Sequence, residues 1–215
     1  MKKHTMPLSE HNTFFKCILF SLAAALMLCG CAPSSPKQEK APAAHVESLS
    51  VGHRLKIQNI DSRLLLVDNN SVLAADGLFY ASWGMGKATP YKNSDGETAD
   101  LYDASLYLLL GESKDPASAQ NNMDTWLNAA KDNYEITEEQ EITCGGQAYT
   151  ILTYQCAGED NPYARGMSAL GTAGSDALCI ELTCREGFEE DLSSLLTTFL
   201  EGCILDTDET IPQNI

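Results

Sequence analysis

Short strand-like runs open the body of the chain. Arg54–Ile60 (RLKIQNI), Leu64–Asp68 (LLLVD) and Leu78–Met85 (LFYASWGM) are bounded by polar residues, and in the third run Phe79, Ala81 and Trp83 fall on one face. Val67–Ser71 (VDNNS) reads as a turn, and Thr89–Ala99 reads as a loop with a tight turn at Asp95-Gly96. Leu101–Leu110 (LYDASLYLLL) is a further strand. The period then changes. Asp115-Pro116 has the form of a helix start, and Met123, Trp126, Leu127 and Ala130 recur at helical spacing up to Asn133. Beyond Asn133 the period returns to two. Ile136 and Ile142 flank the polar TEEQE stretch, and Glu138-Glu139-Gln140-Glu141 reads as solvated strand or loop. Gly145-Gly146 is a turn into the strand Ala148–Tyr154. A loop at Ala157–Pro162, a strand at Tyr163–Gly171, a turn at Gly174-Ser175-Asp176 and a central-type strand at Ala177–Cys184 follow. Phe188–Gly202 closes the pattern as an amphipathic helix. Phe188, Leu192, Leu195, Leu196 and Phe199 face inward, and Glu189, Glu190 and Asp191 occupy the first turn.

Strands, helix, strands, helix is the order of an α+β domain with a mostly antiparallel sheet covered by helices. Trp126, Tyr134, Gly145–Tyr154 (GGQAYTILTY), Ala177–Cys184 (ALCIELTC), Phe188 and Phe199-Leu200 together resemble the second half of a PsbP-like domain. That resemblance implies an αβα sandwich over roughly residues 50–206. It also implies a role of the kind most of that group has, non-enzymatic assembly or binding.

The first thirty residues follow a different pattern. Lys2, Lys3 and Lys16 precede an uncharged run, Cys17–Cys31 (CILFSLAAALMLCGC). The run is short for a helix crossing a hydrocarbon core of about 30 Å. Basic, then apolar, then small is the order of a secretory signal. Leu28-Cys29-Gly30-Cys31 resembles the lipobox of bacterial lipoproteins, which implies lipid on the Cys31 thiol and cleavage after Gly30. Cys29 fits that role less well, because the bulky Leu28 precedes it. A plain secretory signal and a membrane span are the alternatives. Each buried CH₂ contributes about 0.8 kcal/mol, so one acyl chain holds weakly and a diacylglycerol holds firmly. Residues 31–48 read as a flexible tether. Ala32–Ala44 (APSSPKQEKAPAA) has no large apolar residue to offset its ordering entropy, and its stretched reach is about 40 Å. Residues 49–215 are then one α+β domain.

Composition narrows the partners. The 215 residues hold 14 Lys and Arg against 30 Asp and Glu. Cleavage after Gly30 removes Lys2, Lys3, Lys16 and Glu10, leaving 11 against 29. Nucleic acid is a poor partner for such a surface, since phosphate binding needs clustered cations. Cys144, Cys156, Cys179, Cys184 and Cys203 remain in the body, an odd number. Export permits disulfides. Cys156 with Cys184 and Cys144 with Cys156 are the ordinary candidates, and five buried free thiols are the alternative. Cys179 and Cys184 fall on opposite faces of one strand.

Candidate chemistry is sparse. His45 and His53 are the only histidines after the leader, and neither has a partner at a fixed spacing. No C-x-x-C pair, G-x-G-x-x-G, Walker or G-x-S-x-G motif occurs, so no cofactor, metal or catalytic residue is assigned. Asp206–Glu209 (DTDE) lacks the central glycine of a calcium loop. Tyr80, Trp83, Tyr91, Tyr102 and Tyr107 either line a sugar or peptide groove or pack the core. The expectation is a lipoprotein of the bacterial cell membrane, facing outside the cytoplasm. It is anchored through Cys31 and acts as a non-catalytic binding or assembly module toward an envelope protein or a small ligand. A structural envelope protein, or a hydrolase using two facing carboxylates, is the alternative.

Overall fold

The computed structural model describes residues 42–70, 77–92, 98–156 and 161–206. Cys31, the lipobox and the Asp95-Gly96 turn lie outside them. So do Ala157–Asp160 of the expected loop and all of the DTDE run except Asp206.

Thirteen strands and two helices are described. The strands are β1 (Ala44–His45), β2 (Ser48–Val51), β3 (Leu55–Gln58), β4 (Leu64–Asn70), β5 (Leu78–Met85), β6 (Thr89–Lys92), β7 (Thr98–Leu101), β8 (Ala104–Glu112), β9 (Glu135–Cys144), β10 (Gln147–Gln155), β11 (Arg165–Ala173), β12 (Asp176–Cys184) and β13 (Cys203–Leu205). The helices are α1 (Pro116–Asn133), between β8 and β9, and α2 (Leu192–Glu201), between β12 and β13. Eight strands form one antiparallel sheet in the order β1-β4-β5-β8-β12-β11-β10-β9. β13-β3-β2 form a second sheet, and β6-β7 form a hairpin. The α+β expectation therefore holds in its coarse form, an antiparallel sheet covered by two helices.

Period-two alternation sends side chains to both faces of the large sheet, and both faces are packed. One face carries Phe79, Trp83, Leu106, Leu108, Leu110, Leu178, Ile180 and Leu182. It is covered by Leu192, Leu196, Phe199 and Leu200 of α2 and by Val51, Leu55 and Ile57 of the small sheet. Each large side chain fully buried there contributes about 1.5–3 kcal/mol. The other face carries Leu109, Leu152, Tyr154, Leu170 and Cys179 under Met123, Trp126, Leu127 and Ala130 of α1. Asp115 caps α1, accepting from the Ser118 amide and hydroxyl at 2.9 Å each. Such a cap is worth about 1 kcal/mol.

Several local readings change. The expected 89–99 loop contains the β6-β7 hairpin, and the 101–110 run is split, with β7 ending at Leu101 and β8 starting at Ala104. The turn read at 67–71 is strand through Asn70, because Asp68, Asn69 and Asn70 pair with Ser82, Ala81 and Tyr80 after a register shift. Glu189 and Glu190 precede α2, whose cap is Asp191, so its first turn carries no acid. β2 and β13 are too short to show a period and were not legible. TEEQE is a solvated strand inside β9, at the edge of the sheet. Glu135, Glu138, Glu139 and Glu141 line that edge and oppose pairing with another chain.

Candidate functional site

Register brings polar residues together in the middle of the large sheet. Asp68, Ser82, Tyr107, Glu181 and Ser168 are successive cross-strand partners on β4, β5, β8, β12 and β11. Partners in register share a face, here the α1 face. α1 packs on β11 and β12 and touches β8 only at its margin. Tyr80, Ser82 and Asp68, on β5 and β4, are therefore partly exposed. The Tyr80 and Tyr107 rings stack there, with centroids 6.1 Å apart.

Glu181 is the chemical centre of this row. The Tyr134 hydroxyl, at the C-terminal cap of α1, donates to its carboxylate at 3.2 Å. The Tyr134 ring stacks on Tyr154 at 4.1 Å, nearly parallel. The Ser168 hydroxyl donates to the Tyr154 hydroxyl at 3.3 Å. Gly166 makes this platform possible, because a Cβ there would stand 2.7 Å from the Tyr154 ring. Gly84 does the same for Tyr102, whose ring would meet a Cβ at 2.3 Å. Burial pushes the Glu181 carboxyl up to about 7, against the pull of the Tyr134 hydrogen bond. Burial first, then the nearby Glu181 charge, raises Tyr134, Tyr154 and Cys179. Cys156 is driven up to about 12 for the same two reasons. The Tyr107 hydroxyl is buried with no hydrogen-bond partner in the structure.

A folded pKa near 7 against an ordinary 4.5 means that the native protein binds this proton more tightly than the unfolded chain. Its contribution is present below about pH 4.5 and is lost as pH rises through about 7. Glu181→Gln keeps the acceptor for Tyr134 and removes the charge. It is expected to gain about 2 kcal/mol over the parent at pH 8, after discounting for the partial exposure of Glu181, and almost nothing at pH 4.5. Urea unfolding at the two pH values reads this directly, and an equal gain at both would reject the shifted carboxyl.

A second polar cluster sits at the far end of β8 and β12. Glu112 and Asp176 are register partners, and the β2-β3 turn folds over them. Glu112 accepts from the His53 and Arg54 amides at 2.6 and 3.1 Å and from His53 Nδ1 at 2.8 Å. Arg54 reaches Asp176 at 3.1 Å and donates to Ser175 Oγ at 2.8 Å. The Arg54–Asp176 contact is an ion pair without hydrogen-bond alignment, and the Ser113 backbone amide also acts on the Asp176 carboxylate. Burial pushes Asp176 up to about 6. Arg54 pulls it back and Glu112 adds to the rise. These are two facing acids, one with a raised pKa, the arrangement a carboxylate hydrolase would need. They are nevertheless only 1% and 3% exposed and closed over by Arg54 and the turn, so no substrate reaches them.

The aromatic group named from sequence is dispersed. Trp83 is fully buried against Phe199 on the α2 face. Tyr102 is buried over Gly84, Tyr91 lies on the β6-β7 hairpin, and the Tyr80 and Tyr107 rings meet. His53 is half-exposed and serves Glu112, while His45 lies 3.4 Å from the Leu64 carbonyl. Glu181 and Tyr154 were not singled out. The signal for Glu181 was one acid inside the apolar ALCIELTC run, where a charge needs a partner.

All five described cysteines are free thiols. Cys156 and Cys184 lie on opposite faces of the sheet with β11 between them, which excludes that pair. Cys144 and Cys156 stand at opposite ends of the β9-β10 hairpin, about 30 Å apart along the strands. Cys179 and Cys184 face opposite sides, as their spacing requires. Among the described residues no three His, Cys, Asp or Glu side chains group as metal ligands, and no helix is long and apolar enough to cross a membrane.

No protein-family model matches the chain, and no curated protein matches it. Among solved structures, the solution structure of cyanobacterial PsbP (CyanoP) from Synechocystis sp. PCC 6803 shows a weak likeness in architecture. It has a TM-score of 0.36 and 13% identity, over 82% of this chain and 100% of that one. The crystal structure of PA94 from Pseudomonas aeruginosa, a protein of unknown function described as a putative regulator, has a TM-score of 0.35 and 14% identity, over 60% of this chain and 100% of that one.

Proposed function

We propose that the protein is a lipoprotein of the bacterial cell membrane, held outside the cytoplasm by lipid on Cys31, whose α+β domain is a non-catalytic binding or assembly module. The observation that carries the reading is Leu28-Cys29-Gly30-Cys31 at the end of an uncharged run, followed by a Pro- and Ala-rich stretch before the first described strand at Ala44. The partly exposed Tyr80, Ser82 and Asp68, beside Tyr107 and Glu181, supply a surface of hydroxyls, rings and carboxylates for a polar partner. The buried state of Glu112 and Asp176 weighs against the hydrolase alternative.

Expression in a bacterial host with separation of membrane from soluble fractions tests the anchor. The mature N-terminal peptide is expected to begin at Cys31 and carry diacylglycerol mass. Cys31→Ala is expected to lose that mass and leave the lipid-linked fraction entirely. An unmodified Cys31 in mature protein would sink the lipoprotein reading. Crosslinking on intact cells, with Cys31→Ala as control, then tests the assembly role. A partner captured only from the anchored form supports it, and no protein partner turns the search toward small ligands.

A further inference from the structure

The geometry points to Cys144 and Cys203 as a dithiol pair that closes to a disulfide across the C-terminal turn of α2. Cys144 ends β9 and Cys203 opens β13, so the chain brings them together from 59 residues apart through α2. The Cys144 thiol lies 3.9 Å from the Thr197 carbonyl, and the Cys203 thiol lies 3.4 Å from the Phe199 carbonyl two residues on. The backbones approach as well. A Cβ built on Gly145 would stand 4.0 Å from both the Cys203 and the Leu200 carbonyl oxygens. Both side chains belong to the same apolar cluster, and each thiol acts on the Tyr149 hydroxyl, which burial raises first. Among the other three cysteines only Cys156 and Cys184 sense each other, and the strand between them and their opposite faces keep that pair from bonding. Cys156 and Cys179 belong to the α1 layer, and Cys184 is buried at the far end of β12. Gly145 and Gly146, at φ 59° and 81°, form the adjoining turn.

The exchange balances with a small-molecule disulfide such as oxidised glutathione. The Cys144 thiolate attacks one sulfur, the S–S bond breaks, and one glutathione thiolate leaves. The Cys203 thiolate then attacks the Cys144 sulfur of the mixed disulfide and displaces the second. Two protein thiols are oxidised, one disulfide is reduced to two thiols, and the two protons end on glutathione. Burial raises the Cys144 thiol and holds Cys203 up at about 12. Only the thiolate attacks, so the rate rises about tenfold per pH unit between 7 and 9. Occurrence of the bond in the cell rests on the export reading, whereas its formation in vitro does not.

The test uses the full chain, purified reduced in detergent, treated with oxidised glutathione and then alkylated in denaturant. Non-reducing peptide mapping is expected to show Cys144 linked to Cys203, with Cys156, Cys179 and Cys184 alkylated. The Tm is expected to rise by roughly 5–15 °C on oxidation, because the bond closes a loop of about sixty residues. Cys144→Ser and Cys203→Ser should each abolish that rise. Cys144 and Cys203 both alkylated or singly glutathionylated, or linked to other cysteines, would overturn the pairing. A link that forms in vitro but is absent from protein trapped in intact cells supports the pairing and counts against export.

Discussion

Arg54→Ala is expected to remove about 3–5 kcal/mol of stability at neutral pH, the cost of leaving a buried charge without its partner. Arg54 sits with 6% of its side chain exposed against Asp176 with 1%, and Glu112 is close by. The guanidinium also donates to Ser175 Oγ and to the Ser113 carbonyl, so it ties the β2-β3 turn to the ends of β8 and β12. Beyond Arg54, Asp176 has only the Ser113 backbone amide nearby to offset its charge. Without Arg54, two carboxylates on adjacent strands share one buried site. The pH dependence identifies the cause. Asp176 is held near 6 in the folded protein against an ordinary 3.8, so its contribution is full below about pH 4 and is lost as pH rises through about 6. Removing Arg54, which pulls the Asp176 pKa down, raises that pKa further. The loss in Arg54→Ala should thus be large at pH 7 and much smaller at pH 4, where Asp176 is protonated in the folded parent and in the folded variant alike. Denaturant titration at the two pH values measures it. Equal losses would mean that Arg54 acts through packing alone. Arg54→Met with Asp176→Leu removes both charges and is expected to recover most of the stability, since an apolar pair of similar volume meets no desolvation cost.

That cluster also marks where reading the sequence stops. α1 was legible because Asp115-Pro116 caps it and Met123, Trp126, Leu127 and Ala130 repeat at its period. β10 and β12 were legible because their alternation is unbroken. Arg54 and Asp176 are 122 positions apart, and they meet only because β12 pairs with β8 in one register while a three-residue turn folds over the ends. Periodicity carries no register across strands, so neither residue stood out. The polar row had the same history. Ser82, Tyr107 and Ser168 are ordinary residues singly, and pairing alone aligns them with Glu181. The cysteine pairing failed for a related reason: Cys156 with Cys184 ignored both the strand between them and the side each faces. Cys31 differs in kind. Its signal is local, and it owes nothing to the fold.

Trp83→Ala is expected to cost about 3–5 kcal/mol, the range for deleting a buried large aromatic. In a domain of this size that lowers Tm by about 10 °C or more. Trp83 is fully buried, pairs across the sheet with Leu66 and Leu106, and meets Phe199 of α2 edge-on at 5.2 Å. Truncation opens a cavity between the sheet and α2, and the rigid β5-β8 pairing limits how far it can collapse. A tryptophan lining a groove would behave differently. Its loss would leave the melting temperature intact and weaken a ligand, so one thermal scan separates the two roles. The indole nitrogen sharpens the test, because it is buried without a hydrogen-bond partner. Trp83→Phe deletes that unsatisfied donor, worth about 1–3 kcal/mol, while keeping a ring against Phe199. It should therefore cost far less than alanine. If alanine and phenylalanine cost the same, the indole would be bonded after all, and the close packing of α2 on β5 would have to be redrawn.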